Sequence, residues 1–233
     1  MNRIIAGRQP VIEALRAGTQ IEKVVFLMGV HGRAIDEIKS RQEFRELASD
    51  ATTQGVVALM TSQQKYALLE TILDIPHKRD EKGLILILDE IEDPQNLGAL
   101  VRTAECAGVH GVIIPKHHSA SVTSAVAKAS AGAVEHMAMA EVTNIVSMIE
   151  ELKQQGYWIV GLDAMGDKLY TEIDYKIPIA IVVGNEGKGI RRLVKEHCDF
   201  LVKIPLYGKI ASLNASVAGA LVMYEATKQR TSL

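Results

Sequence analysis

The sequence is poor in cysteine, with only two in 233 residues. Cys106 and Cys198 lie far apart, form no Cys-X-X-Cys motif and have no histidine at a metal-binding spacing. This pattern indicates neither a disulfide framework nor a zinc cluster. Because free thiols suit a reducing compartment, we expect the protein to reside in the cytoplasm.

Long apolar runs are also missing. No stretch reaches the roughly 18 uninterrupted apolar residues that a membrane-spanning helix needs. The first segment, MNRIIAGRQP, carries arginine beside its short apolar run, so we expect neither export nor membrane insertion. The formal net charge is only −2, which excludes a strongly basic protein and gives no direct sign of a nucleic-acid partner.

Hydrophobic residues, in contrast, make up 48% of the chain, while aromatic residues make up only 4%. This apolar content excludes a disordered chain, and 18 glycines and 6 prolines without a period exclude a fibrous one. The sequence therefore predicts a globular protein of one or two domains.

A polar run at residues 77–83 precedes an apolar segment and indicates a boundary between two units. We expect an α/β accessory domain at residues 1–70, a linker at 71–83 and a second domain at 84–233. In the first unit, the patterns predict helices at residues 10–17 and 34–49 and strands at 23–28 and 55–60.

Short apolar runs alternate with amphipathic segments throughout the second unit. Strands are predicted at residues 84–88, 112–114, 157–162, 179–183 and 200–204. Runs that are apolar on both faces suit a parallel sheet covered by helices, so the expected fold class is doubly wound α/β. Such sheets bind ligands at the carboxyl ends of their strands, which directs attention to the loops after Leu88, Val183 and Ile204.

The first loop leads into a predicted helix that starts at Asn96, as an N-cap, and stops at Gly108. The small pair at residues 98–99 leaves the helix start open to a phosphate or a ribose. An ordinary alternative is that Asn96 only caps the helix and that Arg102 only pairs with Glu105 on a solvated face. The predicted buried stripe is Leu97, Val101 and Ala104.

The second loop, VGNEGKGI, has three glycines within six residues, directly after an apolar strand. Its spacing matches neither GxGxxG nor GxxxxGK[ST], so a dinucleotide fold and a Walker loop are not supported. The glycines allow a ligand to approach the backbone, and Glu186 can accept a hydrogen bond from a hydroxyl or a ring amine. The alternative is a tight strand-to-helix turn with Glu186 near a helix N-terminus.

The third loop, IPLYGKIASLNASVAGAL, leads into the last predicted helix, with Ser212 as the expected N-cap. Asn214 and Ser216 fall in its first turn, where two polar residues beside a small-residue face suggest a polar function. The predicted buried stripe, which reaches toward Tyr224, is Leu213, Val217, Ala220 and Leu221.

Together, DPQNLGALVRTAE, VGNEGKGI and IPLYGKIASLNASVAGAL resemble the three motifs of the SpoU (TrmH) family of S-adenosylmethionine-dependent RNA ribose 2′-O-methyltransferases. The likeness covers residues 84–228. The segments IIAGRQPVIEALRAG and QGVVAL resemble the family's ribosomal-protein-like (L30e-like) RNA-binding domain, an arrangement most similar to that of RlmB-type 23S rRNA guanosine-2′-O-methyltransferases. The resemblance implies a SPOUT fold, in which the chain end threads a loop to form a trefoil knot.

The resemblance also implies the site. S-adenosyl-L-methionine would be the cofactor, and no metal would be needed because the donor carries its own sulfonium leaving group. The residues implied to hold the cofactor are Gly184, Asn185, Gly187, Ile204, Leu206 and Leu213. The residues implied to act on the ribose are Arg102, Asn96, Glu186, Ser212 and Asn214.

Within that set, the resemblance places Arg102 beside the target ribose and phosphate. A guanidinium stays charged in nearly every protein setting, so we expect Arg102 to clamp the phosphate or oxyanion rather than to take the proton. The adjacent His117 and His118 suit a solvated loop better than a metal site.

The implied partners are rRNA and a second copy of the chain. The accessory domain would contact backbone phosphates, with base stacking a minor contribution because aromatics are few. A homodimer would place the last helix, residues 213–226, at the contact. Between Ser40 and Arg41 the accessory domain is shorter than in related proteins and lacks an expected strand. The expected phosphate ligands are Arg3, Arg8, Arg16 and Lys23.

Three alternatives remain at the level of sequence. The same chemistry could act on tRNA. A nicotinamide or nucleotide enzyme would share the doubly wound sheet but should show a GxGxxG turn after the first strand, which is absent here. A noncatalytic rRNA-binding assembly factor could keep the fold, but it would have little use for Asn96, Arg102, Glu186 and Asn214 together.

Overall fold

A computed structural model describes residues 4–27, 37–39, 54–60 and 66–231. It contains a small mixed sheet near the start of the chain and a seven-stranded sheet in the rest. No helix within these described ranges combines the length and the hydropathy that crossing a bilayer requires.

The first sheet has the strand order β1-β4-β2-β3, with β3 parallel to β2 and the other pairs antiparallel. Helix α1, Arg8–Arg16, covers one face and buries Val11 and Ala14 against the strands. This helix and strand β4 confirm the predicted helix at 10–17 and strand at 55–60. The strands are β1 (Ile4–Ala6), β2 (Ile21–Leu27), β3 (Glu37–Lys39) and β4 (Val56–Met60).

The predicted helix at residues 34–49 is wrong over residues 37–39, the part of it that the structure describes. Residues 37–39 belong to the expected helix at 34–49, but they form strand β3 and pair with residues 25–27 of β2. A short segment cannot be assigned to helix or strand by periodicity alone, and here pairing with β2 decides the outcome. The rest of that predicted helix, the Ser40–Arg41 junction and Arg3 lie outside the described residues.

The second sheet confirms the expected parallel α/β architecture. Its strand order is β7-β6-β5-β10-β8-β11-β9, and every neighbouring pair is parallel. The five predicted strands are present, and β7 and β9 are additional. The strands are β5 (Leu84–Asp89), β6 (Gly111–Pro115), β7 (Met139–Val142), β8 (Trp158–Leu162), β9 (Lys168–Leu169), β10 (Ile179–Gly184) and β11 (Phe200–Lys203).

Helices cover both faces of this sheet, which explains why its central strands are apolar throughout. Leu84, Leu86 and Leu88 of β5 point to the face covered by α3, α4 and α7, whereas Ile85 and Ile87 point to the face covered by α2, α5 and α6. Each such side chain contributes about 1.5–3 kcal/mol through burial. The helices are α2 (Leu69–Arg79), α3 (Pro94–Cys106), α4 (Ser124–Ala129), α5 (Ile145–Gln154), α6 (Arg192–Glu196) and α7 (Ala215–Arg230).

Helix α2 occupies most of the segment expected to be a linker. Its Ile72 is fully buried, and a Cβ on Gly111 of β6 would lie only 2.4 Å from the Ile72 side chain. The polar residues after Pro76 therefore end a helix that packs on the second sheet, within the segment predicted to be a linker. The division of the chain at residues 70 and 84 stays a prediction.

The buried face of α7 differs from the predicted one. Ala215, Gly219, Val222, Met223 and Ala226 are buried. The predicted stripe instead forms an outer face, with Val217 48% exposed, Leu221 39% and Tyr224 51%. Gly219 allows α7 to lie close to α3, while the apolar side chains of Val217, Leu221 and Tyr224 point to solvent.

The last turn of α7 is fastened to two loops through Arg230. Its guanidinium donates to the backbone oxygens of Lys82 at 2.6 Å, Gly83 at 3.0 Å, Tyr175 at 2.7 Å and Ile177 at 2.8 Å. These loops enter β5 and β10, so the end of the chain is held against the middle of the sheet. The threaded chain path that the resemblance implies stays a prediction.

Candidate cofactor and substrate site

A cavity opens at the carboxyl ends of β8, β10 and β11, where ligands of parallel sheets are expected. It comprises about 660 Å³ of empty space, part of it open to solvent. The lining comes from three chain segments, within residues 162–164, 183–189 and 202–218.

Most residues predicted to hold a cofactor line this cavity. They are Gly184, Asn185, Ile204, Leu206 and Leu213. Gly187 does not line it, whereas Glu186, Gly189 and Ser212 do. The three segments thus form an apolar hollow with a polar edge.

The polar edge is a hydrogen-bonded trio of Asn96, Glu186 and Asn214. Asn96 Nδ2 donates to Glu186 Oε1 at 2.5 Å, and Asn214 Nδ2 donates to Asn96 Oδ1 at 2.9 Å. Asn96 lies in α3 and is 8% exposed, whereas its partners come from the second and third loops. The contacts join all three sequence motifs, as the prediction of a single site requires.

The two predicted helix caps are assigned to the wrong residues. Asp93, not Asn96, caps α3 by accepting from the Gln95 amide at 3.1 Å. Asn214, not Ser212, caps α7 by accepting from the amides of Ser216 at 2.9 Å and Val217 at 3.4 Å. Asn96 is therefore a helical residue whose side chain is free to serve the site, because a different residue caps the helix.

Gly184, in the second loop, and Gly98, in α3, serve packing inside the protein. A Cβ on Gly184 would lie 2.3 Å from the backbone of Gly189 and Ile190, so the loop can close only with glycine there. A Cβ on Gly98 would lie 2.4 Å from Ala129 of α4, so Gly98 permits two helices to pack rather than a ligand to approach.

Asn185 holds the shape of the second loop as well as lining the cavity. Its Oδ1 accepts from the amides of Gly187 at 2.9 Å and Lys188 at 3.2 Å, and its Nδ2 donates to the Glu90 carbonyl at 3.0 Å. The fully buried Asp89 adds a second tie, because its carboxylate accepts from the amide and Nε of Arg191, both at 2.8 Å. The loop after β10 is thus fixed to the loop after β5.

Asp163 is a charged residue of the cavity that the sequence motifs do not include. Its Oδ1 accepts from the Met165 amide at 2.8 Å, and Lys195 forms an ion pair with its carboxylate. Burial raises the pKa of Asp163, but the hydrogen bonds from Lys195 and Met165 outweigh burial and hold the pKa below its ordinary value. The signal was available, because Asp163 directly follows the predicted strand at 157–162 and so belongs to the carboxyl edge.

Arg102 does not join the other predicted site residues. Its exposed side chain lies in a separate groove with Gln9 and Glu13 of α1 and His136. Within the described ranges it forms no hydrogen bond or ion pair, so the alternative in which Arg102 pairs with Glu105 is not seen. Its helical neighbours Ala99 and Thr103 line another groove against the outer face of α7.

The remaining predicted residues lie away from the cavity. His117 and His118 are exposed in the loop after β6, in agreement with the loop prediction. Arg8 and Arg16 are exposed on α1, and Arg16 donates to Glu13 at 2.8 Å. Across the described segments, no three histidine, cysteine or acidic side chains are grouped as a metal site would require.

These features define a doubly wound α/β protein with an apolar small-molecule site and a polar trio at its edge. The chain belongs to the SpoU rRNA Methylase family, which matches residues 83–224. Residues 4–66 match a second family, described as RNA 2′-O ribose methyltransferase substrate binding. The protein is therefore an RNA methyltransferase of the SpoU (TrmH) type with an N-terminal substrate-binding domain.

Individual relatives agree with this assignment. A Bacillus subtilis protein assigned to the TrmH family of tRNA/rRNA methyltransferases is 42% identical over 238 residues, covering 97% of this chain and 95% of that protein. The AdoMet-bound rRNA methyltransferase of Sinorhizobium meliloti superimposes with a TM-score of 0.79 at 26% identity, covering 97% and 86% of the two chains. The SpoU methyltransferase AviRb of Streptomyces viridochromogenes shares the fold, with a TM-score of 0.82 at 23% identity over 99% and 91% of the chains.

Proposed function

We propose that the protein transfers a methyl group from S-adenosyl-L-methionine to the 2′-hydroxyl of a ribose, in a guanosine of 23S rRNA. The observation that carries this proposal is the Asn96–Glu186–Asn214 trio beside an apolar cavity at the strand ends. The trio joins three motifs at the one edge of the cavity where a donor and an RNA sugar could meet.

The cavity fits the methyl donor in its chemistry. Leu162, Val183 and Ile204 supply apolar walls for an adenine ring, and the polar groups are few and fixed. Asp163 stays ionised at neutral pH, so it can accept hydrogen bonds from hydroxyl or amino groups and can neutralise positive charge. When bound, the donor supplies an activated methyl on a positively charged sulfur.

The chain's own residues would position the ribose rather than activate it strongly. In-line transfer requires the hydroxyl oxygen, the methyl carbon and the sulfur to be aligned, and fixed hydrogen bonds in the trio can provide that alignment. Glu186 and Ser212 line the cavity at the trio's edge and can orient the hydroxyl. The proton would leave through a phosphate oxygen or water, with Arg102 clamping the anion.

The position of Arg102 supports a homodimer in which the partner completes the RNA side of the site. Arg102 is unpaired within the described ranges and lies next to Ala99 and Thr103, which border the exposed apolar face of α7. A second copy covering that face would bring one protomer's Arg102 near the contact. The dimer would thereby bury the side chains of Val217, Leu221 and Tyr224, which are exposed to solvent in a single chain.

The N-terminal domain would hold the RNA. Arg8, Arg16 and Lys23 are the basic residues within its described part that we assign to backbone phosphates. A cytoplasmic location follows from an rRNA substrate. The Bacillus subtilis relative is assigned to tRNA/rRNA methyltransferases, so tRNA is the second candidate substrate for the same chemistry.

Two measurements test the proposal. Calorimetry should detect binding of S-adenosyl-L-methionine and none of NAD. Mapping of ribose methylation in total rRNA and tRNA, from cells with and without the gene, should show one 2′-O-methyl guanosine in 23S rRNA that depends on the protein. A dependent site in tRNA would favour the second candidate, and donor binding without any dependent RNA site would refute RNA methylation.

A further inference from the structure

The loop between β11 and α7 carries an aromatic side chain, Tyr207, that is not packed against the rest of the described chain. Tyr207 is 97% exposed, and within the described ranges its side chain makes no hydrogen bond or ring contact. Its neighbour Leu206 and, farther along, Ala211 line the cofactor cavity. Tyr207 therefore stands at the mouth of the cavity, on the solvent side.

The charge around this ring favours a polyanion. Lys209, two residues along, and Lys188, on the other loop that borders the cavity, are both exposed. Neither forms an ion pair within the part of the chain that the structure describes. The outer face of α7, where a second copy would bind, is apolar rather than acidic. Phosphates of a nucleic acid match these two ammonium groups better than a second protomer does.

We propose that Tyr207 is a substrate-binding residue that stacks on the base of an unpaired RNA nucleotide at the cavity mouth. The inference rests on the proposed RNA methylation and goes further by naming the contact that holds the base. A nucleotide whose ribose enters a protein site must leave its own stack, and an aromatic side chain replaces the lost stacking partner. Within the described ranges, no aromatic residue lines the cavity itself. The Tyr207 ring at its mouth is therefore the one placed to stack on the base.

The first test compares Tyr207→Ala, Tyr207→Phe and the wild type with tritiated S-adenosyl-L-methionine and unmodified transcripts of 23S rRNA and tRNA. Tyr207→Ala should raise the KM for RNA about ten-fold, as loss of one stacked base predicts. Its affinity for the methyl donor should not change. Tyr207→Phe should retain the wild-type KM, because stacking needs the ring and not the hydroxyl. Leu193→Ala, at a 53% exposed apolar residue of α6, serves as the matched control and should change nothing.

A fluorescent reporter tests stacking without turnover. The chain has one tryptophan, Trp158, so Tyr207→Trp combined with Trp158→Phe leaves a single indole at the proposed position. The same 23S rRNA and tRNA transcripts should quench its emission. The wild type, whose single indole is Trp158, is the control for quenching elsewhere, and Trp158→Phe alone, which has no indole, gives the tyrosine background.

The outcomes separate this inference from the proposed function. A wild-type KM for Tyr207→Ala, or an indole that RNA does not quench, would overturn the stacking role even if methylation of RNA is observed. A lower sedimentation coefficient for Tyr207→Ala would assign the ring to a contact between protomers and would also overturn it. If the wild type methylates no RNA, the proposed function fails, and the quenching experiment still decides whether Tyr207 binds RNA.

Discussion

Asn214 uses the two ends of one side-chain amide for two purposes. Its oxygen caps α7 by accepting from backbone amides, and its nitrogen donates to Asn96. These contacts fix the orientation of the side-chain amides of Asn96 and Asn214, because in each of them the oxygen accepts and the nitrogen donates a hydrogen bond. Asn214 therefore contributes both to the stability of α7 and to the geometry of the site. A control residue that only caps a helix can separate the two contributions.

Asn144 provides that control, because it caps α5 in the same way by accepting from the Val146 amide at 2.9 Å. Asn214→Ala and Asn144→Ala should each lower the free energy of unfolding by about 1 kcal/mol. Only Asn214→Ala should also lower kcat/KM for RNA methylation, by about ten-fold or more, because it leaves Asn96 without its donor. Denaturant unfolding and methyl-transfer kinetics measure the two effects. Equal activity losses in both variants would contradict a role for Asn214 in the site.

Gly184 and Gly187 lie in the same loop but differ in the space around them. Gly184→Ala should lower the free energy of unfolding by about 1–3 kcal/mol and weaken donor binding, because its Cβ would overlap the Gly189 backbone. Gly187→Ala should leave both unchanged, since its Cβ would meet only Asn185 Oδ1, at 3.6 Å. Calorimetry and thermal unfolding give the comparison. Loss of donor binding in Gly187→Ala alone would restore the predicted cofactor role of Gly187.

The sequence indicates that these residues come together, but it does not indicate which contacts each of them makes. Asn96 and Asn214 stand out in sequence because polar residues near a helix start need a reason. Which of several polar residues caps the helix depends on where the first turn begins, and Pro94 and Asp93 decide that for α3. Likewise, the glycine-rich loop after β10 indicates a close approach to the backbone, but the sequence does not tell whether a ligand or the loop itself occupies the space at Gly184.

At the scale of elements, α7 shows what periodicity can and cannot predict. Its repeat correctly identifies an apolar stripe that includes Val217 and Leu221, yet these residues face solvent in the single chain. The buried side of the helix includes Gly219, because α3 lies so close that a Cβ on Gly219 would be 2.6 Å from Leu100. An apolar repeat at helical spacing indicates an apolar face of the helix. It does not tell whether the same chain or another chain covers that face.

If a second copy covers this face, one charge should prevent association. Leu221→Glu places a carboxylate at the centre of the outer face of α7 and should convert the proposed dimer to monomer, because an unpaired charge is costly to bury. Leu193→Glu, on the exposed surface of α6, should leave the oligomeric state unchanged. Analytical ultracentrifugation distinguishes the two. A wild-type protein that sediments as a monomer, or a Leu221→Glu protein that remains dimeric, would refute this interface.

The sheet itself was the most predictable element. Strands β5 and β10 are apolar at successive positions because both faces are covered, and that pattern needs no partner to be recognised. Helix α2 was hidden by the polar residues that end it, since only Ile72 and Pro76 of its side chains are buried. Strand β9 has two residues, too few for any sequence pattern.

At the scale of the whole molecule, the carboxyl ends and the amino ends of the strands in the seven-stranded sheet differ in function. The carboxyl ends form the cavity, whereas the amino ends contain structural contacts of buried groups. His110 is 3% exposed; its Nδ1 accepts from the Leu84 amide at 3.0 Å and its Nε2 lies 2.8 Å from Glu81. Because Nδ1 accepts, the neutral ring carries its proton on Nε2 and donates to Glu81.

This contact predicts how stability depends on pH. Burial lowers the pKa of His110 below its ordinary value, more than the Glu81 carboxylate raises it. The unfolded chain therefore takes up a proton that the folded protein resists, so stability is fully present above about pH 6.5 and declines as the pH falls from there.

His110→Gln cannot titrate, although its amide oxygen can still accept from Leu84. Its free energy of unfolding should therefore decline less steeply than that of the wild type between neutral pH and pH 5. His117→Gln, in an exposed loop, should keep the wild-type slope. Urea unfolding at several pH values gives the slopes, and identical slopes for all three proteins would contradict the linkage.

The trio at the cavity edge also sets how substitutions combine. Asn96 gives its nitrogen to Glu186 and its oxygen to Asn214, so replacing Asn96 leaves both other side chains with an unmet hydrogen-bonding group, whereas replacing Glu186 or Asn214 leaves only Asn96 with one. Once Asn96 is replaced, a further replacement of Glu186 or Asn214 removes a group that has already lost its counterpart, and it costs little more. The losses of any pair that includes Asn96 are thus non-additive: the free energy of each contact is shared with Asn96 and cannot be assigned to one side chain.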